Sequence, residues 1–362
     1  MSEERHNWTQ KEILDIYNKP FMELLYDAAS VHRMYHDPNT VQVSTLLSIK
    51  TGGCPEDCGY CPQAARYHTD IEGNDLMTVP HVKAQALRAK ASGSSRVCMG
   101  AAWRNVKDGP EFDQVLEMVR TINKLDMEVC CTLGMLTENQ AKRLAEAGLY
   151  AYNHNLDTSE DYYKDVISTR AFEDRLQTID NVRKSNVTVC SGGIIGMGEK
   201  LEDRAGMLVA LSTLNPQPES VPINALVPVE GTPMESMEPV PIWDMIRMVA
   251  TTRIIMPKTQ VRLSAGRTEM SREGQAMCFF TGANSIFAGD KLLTTPNPDV
   301  NEDMEMFKML GLNPQKAFTK MPQPETVEER DSQYGDTGER PKWTRPGHTI
   351  HRNEAAKAKS KI

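Results

Sequence analysis

The chain opens on a helical pattern. Thr9 and Glu12 fit a capping box, and apolar positions follow at Ile13, Ile16, Tyr17, Met22, Leu25 and Ala28. Beyond about residue 40 the pattern alternates. Short β-rich runs fall at about 43–49, 96–101, 127–133, 150–155, 187–195, 220–227, 260–265 and 284–288. Helix-like stretches separate most of them, among them 111–125, 137–147, 171–184 and 242–256, and Gly148 stands where a helix-ending glycine belongs. About eight strands, each followed by a helix, is the count of an α/β fold of the (β/α)8 TIM-barrel type. A doubly wound open sheet is the alternative. The expected division is an N-terminal helical extension over 1–40, a barrel over 41–320 and a tail over 321–362. The tail is polar, carries many Lys and Arg towards its end, and is expected to be disordered.

Length and charge narrow the function classes. The chain has 362 residues, a normal size for one α/β barrel, and a net charge of −8, which points to neither a nucleic-acid nor a membrane partner. The N-terminal MSEERHNWTQ lacks the apolar segment of a secretory signal, and no apolar run approaches a membrane span. A cytoplasmic, reducing location is therefore expected. The eight cysteines then read as metal ligands or chemical groups rather than disulfides.

Three of them form one group. TGGCPEDCGYCPQ places Cys54, Cys58 and Cys61 at C-x3-C-x2-C spacing within a loop rich in Gly and Pro. Thiolates so close can converge on one iron–sulfur cluster. Three ligands for four irons leave one iron open, and an open metal position can bind and activate a substrate. A structural zinc site is the competing reading, but no nearby Cys or His supplies its fourth ligand. The loop follows the first strand, so in a barrel it lies at the C-terminal mouth, where barrel active sites sit.

A second group is scattered in sequence but not in phase. On the expected strands, Arg96 shares a face with Cys98, Glu128 with Cys130 and Thr132, Thr188 with Cys190, and Gln260 with Arg262 and Ser264. The opposite phase is mostly aliphatic and should pack on the helices. Cys98, Cys130, Cys190 and Arg262 are thus expected inside the barrel. Cys131 falls on the outer phase, and it and Cys278 read as packing residues. A buried Arg needs a negative partner, which a thiolate-ligated cluster would provide. Against this stands the ordinary tendency of free Cys to be buried without a function.

These residues carry a resemblance. The C-x3-C-x-aromatic-C loop resembles the signature of the radical S-adenosylmethionine superfamily. VQVSTLLSIKTGGCPEDCGYCPQ, CMGAAW, YNHNLDT, VCSGGIIGMGE, SVPINALV, VRLSAGR, GANSIFAGDKLLTTPNP and GLNPQ, spread over about residues 8–315, are similar to the biotin synthase family. The resemblance implies a 4Fe-4S cluster on Cys54, Cys58 and Cys61 and S-adenosylmethionine on its open iron. It also implies a 2Fe-2S cluster on Cys98, Cys130, Cys190 and Arg262. For the cofactor it implies contacts from Tyr60, Arg175, Gly193 and Glu199; for the substrate, dethiobiotin, contacts from Asn153, Asn155, Asp157 and Asn224.

The implied activity is that of a sulfurtransferase. A radical made from S-adenosylmethionine takes hydrogen from dethiobiotin, and sulfur from the 2Fe-2S cluster enters to form biotin. No side chain acts as acid or base. A reduced flavodoxin- or ferredoxin-type electron donor and a homodimer are implied by resemblance alone. The alternatives are another radical barrel synthase, such as a hydrogenase maturase or a methylornithine-forming mutase, and a non-catalytic iron–sulfur carrier.

Overall fold

The computed structural model describes residues 4–289 and 291–318. The tail expected over 321–362 lies outside them.

The opening capping box forms: Thr9 accepts from the Glu12 amide and Glu12 returns the bond, starting the helix Gln10–Tyr17. A second helix, Phe21–Tyr35, buries Leu24, Leu25, Ala28 and His32. Met22 breaks the expected apolar face, because it lies on the outer side of that helix and is 71% exposed.

The strands are β1 (Thr40–Lys50), β2 (Arg96–Ala101), β3 (Glu128–Thr132), β4 (Ala151–Asn153), β5 (Thr188–Cys190), β6 (Gly193–Ile195), β7 (Ser220–Ala225), β8 (Gln260–Leu263), β9 (Ala283–Ala288) and β10 (Asn313–Pro314). All pair in parallel, in the order β1-β2-β3-β4-β5-β7-β8-β9, and β9 returns to β1. β6 continues the course of β5 beside β7, and β10 adds to the outer end of β1. With β5 and β6 as one stave, the sheet closes into an eight-stave (β/α)8 barrel, and the open-sheet alternative falls away. The run expected as one strand over 187–195 breaks after Cys190. Its register neighbour at the break is Pro222, which has no N–H to donate to the ladder.

The two faces of the strands sort as the alternation requires. Val97, Met99, Val129, Cys131, Leu133, Val189, Val221, Val261 and Leu263 join the core between sheet and helices. The other phase points inward. Cys98 and Cys130 are register partners within it. Tyr150, Phe287, Leu292 and, from below, Phe318 pack around them.

Candidate active site: two cysteine groups in one barrel

The loop after β1 is shaped before any metal is considered. Gly52 and Gly53 both adopt left-handed backbone, with φ of 74° and 69°, a pair of conformations that side chains disfavour. They turn the chain into the cysteine loop. Cys54 then brackets Gln63 and Ala65 by backbone hydrogen bonds of 2.9 and 2.8 Å, and the Cys61 amide donates to the Cys58 carbonyl at 2.9 Å.

The residues between the cysteines fasten this loop to the far side of the mouth. Asp57 accepts from the Ser168 amide at 2.9 Å, from the Thr169 amide at 3.1 Å and from both hydroxyls. Burial opposes its charge, but these donors win and hold its carboxyl down at about 2. Glu56 accepts from the Thr169 hydroxyl and faces Arg104 and Arg170 at 3.5 and 3.6 Å. Sequence reasoning did not single out Glu56 and Asp57. Two carboxylates inside a cysteine loop were the only available signal.

The loop roofs a cavity of about 320 Å³ inside the barrel. Cys54, Cys58, Tyr60 and Cys61 line its upper end; Cys98, Cys130 and Arg262 line its floor; Asn153, Asn155, Asp157, Arg175 and Asn224 stand between. Cys190 lies just behind this lining, within reach of Arg262 Nη1 at 3.7 Å and of Asn153 Nδ2 at 3.3 Å. Two expected residues are not in the wall. Gly193 lies on β6, where a side chain would strike Met207 and the Asp157 carbonyl, at 2.0 and 2.6 Å. Glu199 turns to its own loop, accepting from the Gly196 and Met197 amides and pairing with Arg204 at 2.8 Å.

The polar wall is cross-braced. Asn153 accepts from Thr132 at 3.0 Å and donates to Asn155 at 3.0 Å. Asn155 accepts from the Gly192 amide, and Asn224 bridges the Gly193 carbonyl and the Ala265 amide. Asp157, at a positive φ of 69°, forms a buried ion pair with Arg175, which also donates to Tyr163 at 2.8 Å. His154 was passed over in the sequence. It lines the same cavity, 2% exposed, with its Nε2 unpartnered. Burial, then Arg175 and Arg170, hold it neutral.

The donor chemistry fits iron–sulfur clusters. Among the described residues no three His, Cys, Asp or Glu side chains are placed to share one metal ion. A zinc site would need that. A cluster does not, because each thiolate binds a different iron. As free thiols these groups resist ionisation. Burial pushes Cys58 up to about 11 and Cys61 up to about 12. Cys130 is raised by its hydrogen bond to Cys98 and by burial, and Cys190 by burial. Burial also works against Cys98, yet its bond with Cys130 and the charges of Arg262 and Arg96 bring that thiol below the ordinary value. Taking up iron must therefore displace protons. Arg262 adds the complementary observation. It is 1% exposed and meets Ser285 at 2.9 Å, Gln42 at 3.0 Å and Ser44 at 3.5 Å, all neutral, with no carboxylate among the described residues paired to it. Thiolates at Cys98, Cys130 and Cys190 would supply the missing negative charge.

Two family models match the chain. Residues 48–211 match the Radical SAM superfamily model, and residues 222–313 match the Biotin and Thiamin Synthesis associated domain. The chain is 83% identical over 357 residues to the biotin synthase of Christiangramia forsetii, covering 99% of this chain and 98% of the relative. It is 82% identical over 361 residues to that of Flavobacterium psychrophilum, covering 100% of each, and 57% identical over 330 residues to that of Nostoc punctiforme, covering 89% and 98%. Among solved structures, methylornithine synthase superposes with a TM-score of 0.71 at 17% identity, covering 85% of this chain and 94% of that one. The FeFe-hydrogenase maturase from Carboxydothermus hydrogenoformans gives 0.72 at 16%, covering 85% and 76%. At such identity the two structures speak for the fold alone.

Proposed function

This chain belongs to the biotin synthase family, and on that premise we propose that its two cysteine groups hold two different clusters at opposite ends of one substrate cavity. Its activity is that of a radical S-adenosylmethionine sulfurtransferase acting on dethiobiotin. When bound, a 4Fe-4S cluster with S-adenosylmethionine supplies the radical chemistry, and a 2Fe-2S cluster supplies the sulfur.

The protein's own part is position and the exclusion of water. Cys54, Cys58 and Cys61 hold the first cluster at the mouth, leaving one iron for the cofactor. Tyr60 and Arg175, both in the cavity wall, would hold the cofactor, Tyr60 through its adenine and Arg175 through its carboxylate. Gly193 gives the backbone close approach, and Glu199 holds the Gly196–Gly198 turn that follows. Asn153, Asn155, Asp157 and Asn224 offer amides and a carboxylate to the cyclic urea of dethiobiotin. Cys98, Cys130, Cys190 and Arg262 hold the second cluster below it. No side chain acts as acid or base.

One observation carries this reading. Thiols from β2, β3 and β5 converge inside the barrel around a buried guanidinium that has no carboxylate partner among the described residues. The same reading assigns the domains as 1–40, 41–320 and 321–362. It takes the protein to be a cytoplasmic homodimer reduced by a flavodoxin- or ferredoxin-type donor. Among the described residues, no helix is long and apolar enough to cross a membrane.

The test is anaerobic. Protein of known iron and sulfide content is incubated with reductant, S-adenosylmethionine and dethiobiotin, and biotin is measured. Two spectrally distinct clusters and biotin are expected. Cofactor cleavage without biotin, or a single cluster type, would sink the proposal.

A further inference from the structure

The turn after β6 lies beside the cavity, and its shape depends on one buried carboxylate. Ile194 on β6 and Leu226 just beyond β7 line the cavity, and the Leu226 amide donates to the Ile195 carbonyl at 2.9 Å. The chain then turns on Gly196 and Gly198, both left-handed with φ of 94° and 95°. Glu199 closes the turn, accepting from the Gly196 amide at 2.9 Å and from the Met197 amide at 2.7 Å. The Tyr162 hydroxyl donates to the Met197 carbonyl at 3.0 Å.

The Glu199 side chain is 2% exposed. A carboxylate so buried is costly unless it is paired and fully bonded. Among the described residues its one cationic partner is Arg204, on the helix Leu201–Thr213, whose Nε donates to it at 2.8 Å. Arg204 is itself aimed. Its Nη1 donates to Asp244 at 2.8 Å and to the Tyr17 hydroxyl at 3.2 Å. Asp244 stands in the first turn of the helix Ile242–Ile255, and Tyr17 ends the helix Gln10–Tyr17. Burial works against the charge of Arg204, and its bonds to Asp244 and Glu199 more than restore it. The rigid fork of a guanidinium suits this task, because it serves several partners in fixed directions.

Resting on the reading of this turn as part of the S-adenosylmethionine site, we infer that Arg204 is a positioning residue for the cofactor. It acts through Glu199. With Arg204 in place the carboxylate stays ionised and inward, and it holds both amides. Without Arg204 it must take up a proton or swing out to water. Either change loosens Gly196 and Met197, and with them Ile194 and Leu226 in the cavity wall. The helices Gln10–Tyr17 and Ile242–Ile255 thereby support the turn through one guanidinium.

The experiment uses the anaerobic full-length protein with its clusters. S-adenosylmethionine is titrated against the electron paramagnetic resonance signal of the reduced 4Fe-4S cluster, and kcat and KM are measured alongside. Arg204→Met and Glu199→Gln should each weaken cofactor binding by about tenfold, the scale of leaving a buried group without its partner. The double variant should bind no more weakly than the worse single one, because one residue acts through the other. KM for S-adenosylmethionine should rise by the same factor, with kcat and KM for dethiobiotin kept. Arg204→Lys should fall between wild type and Arg204→Met, since an ammonium can meet Glu199 without serving all three partners. Should Arg204→Met fail to fold, Arg204→Lys and Glu199→Gln complete the same cycle. Arg247→Met is the control. Arg247 grips the end of the helix Gln10–Tyr17 through the Tyr17 and Lys19 carbonyls, so its loss loosens that helix and should leave cofactor affinity unchanged. Unchanged affinity in Arg204→Met would overturn the inference. So would losses that multiply in the double variant, or equal weakening in Arg247→Met. If the wild-type signal does not respond to S-adenosylmethionine, the cofactor reading itself fails, and the two failures are distinguishable.

Discussion

The side-chain amide of Asn153 donates to the sulfur of Cys190 at 3.3 Å and to the Cys190 carbonyl at 3.2 Å. The two residues are register partners on β4 and β5. A residue proposed to hold substrate is thereby bonded to a residue proposed to hold the second cluster. Hydrogen bonds to a metal ligand's sulfur tune the metal and fix the ligand.

Replacing Asn153 should therefore disturb both ends of this bond. Asn153→Ala is expected to lower the rate of biotin formation by about 10- to 100-fold, as loss of such an outer partner does. Asn153→Asp should do likewise, because a carboxylate cannot donate to the sulfur. In both variants the absorbance of the second cluster should shift while its iron content stays. Unchanged absorbance with a lowered rate would confine Asn153 to the substrate.

The adjacent cysteines on β3 give a sharper contrast. Cys130 faces the cavity, and Cys131 packs in the outer core. Cys130→Ala is expected to abolish the second cluster's absorbance. Cys131→Ala should retain it, at a cost in stability near that of a small cavity, about 1 kcal/mol. Retention in the first variant and loss in the second would invert the inner and outer faces.

That inner and outer division was legible because strand alternation is local. Val97 and Val129 on one phase, and Cys98 and Cys130 on the other, can be read from four or five letters each. The cysteine loop was legible for the same reason, its ligands being three and four residues apart. Other features depend on pairings that no short window contains. Asp57 meets Ser168 across 111 residues, and Arg96 meets Glu219 across 123. Arg96 and Glu128 could be placed on the inner face, but the Glu219 carboxylate that Arg96 also meets could not. The break after Cys190 depends on Pro222 standing opposite, which register decides. Glu199 fails to reach the cavity because two loop amides and Arg204 claim it first.

The Asp57 anchor predicts a loosened mouth when it is altered. Asp57→Ala leaves the Ser168 and Thr169 amides and the Ser168 hydroxyl without their acceptor, while the Thr169 hydroxyl keeps Glu56. Such loss of a buried acceptor costs about 1–3 kcal/mol. The expected readout is faster bleaching of the first cluster by an iron chelator under anaerobic conditions. The second cluster should bleach at the wild-type rate. Equal acceleration of both would mean that the barrel as a whole had opened.

His32 gives a prediction about pH. It is 1% exposed on the helix Phe21–Tyr35, and its Nδ1 has no partner. Burial first, then the charges of Arg253 and Arg33, depress its pKa from 6.5 to about 3. The folded state therefore refuses a proton that the unfolded chain accepts. Stability from this group is complete above pH 6.5 and falls as pH drops from there toward about 3. By pH 5 the loss is about 2 kcal/mol, and that figure holds whether the folded value is 3 or a unit higher. His32→Leu should remove this part of the slope. The difference in unfolding free energy between pH 7 and pH 5, measured by denaturant titration of the anaerobic protein, should shrink by about that amount. An identical slope in the variant would show that His32 takes up its proton inside the folded protein, through an opening of the first helices that admits water.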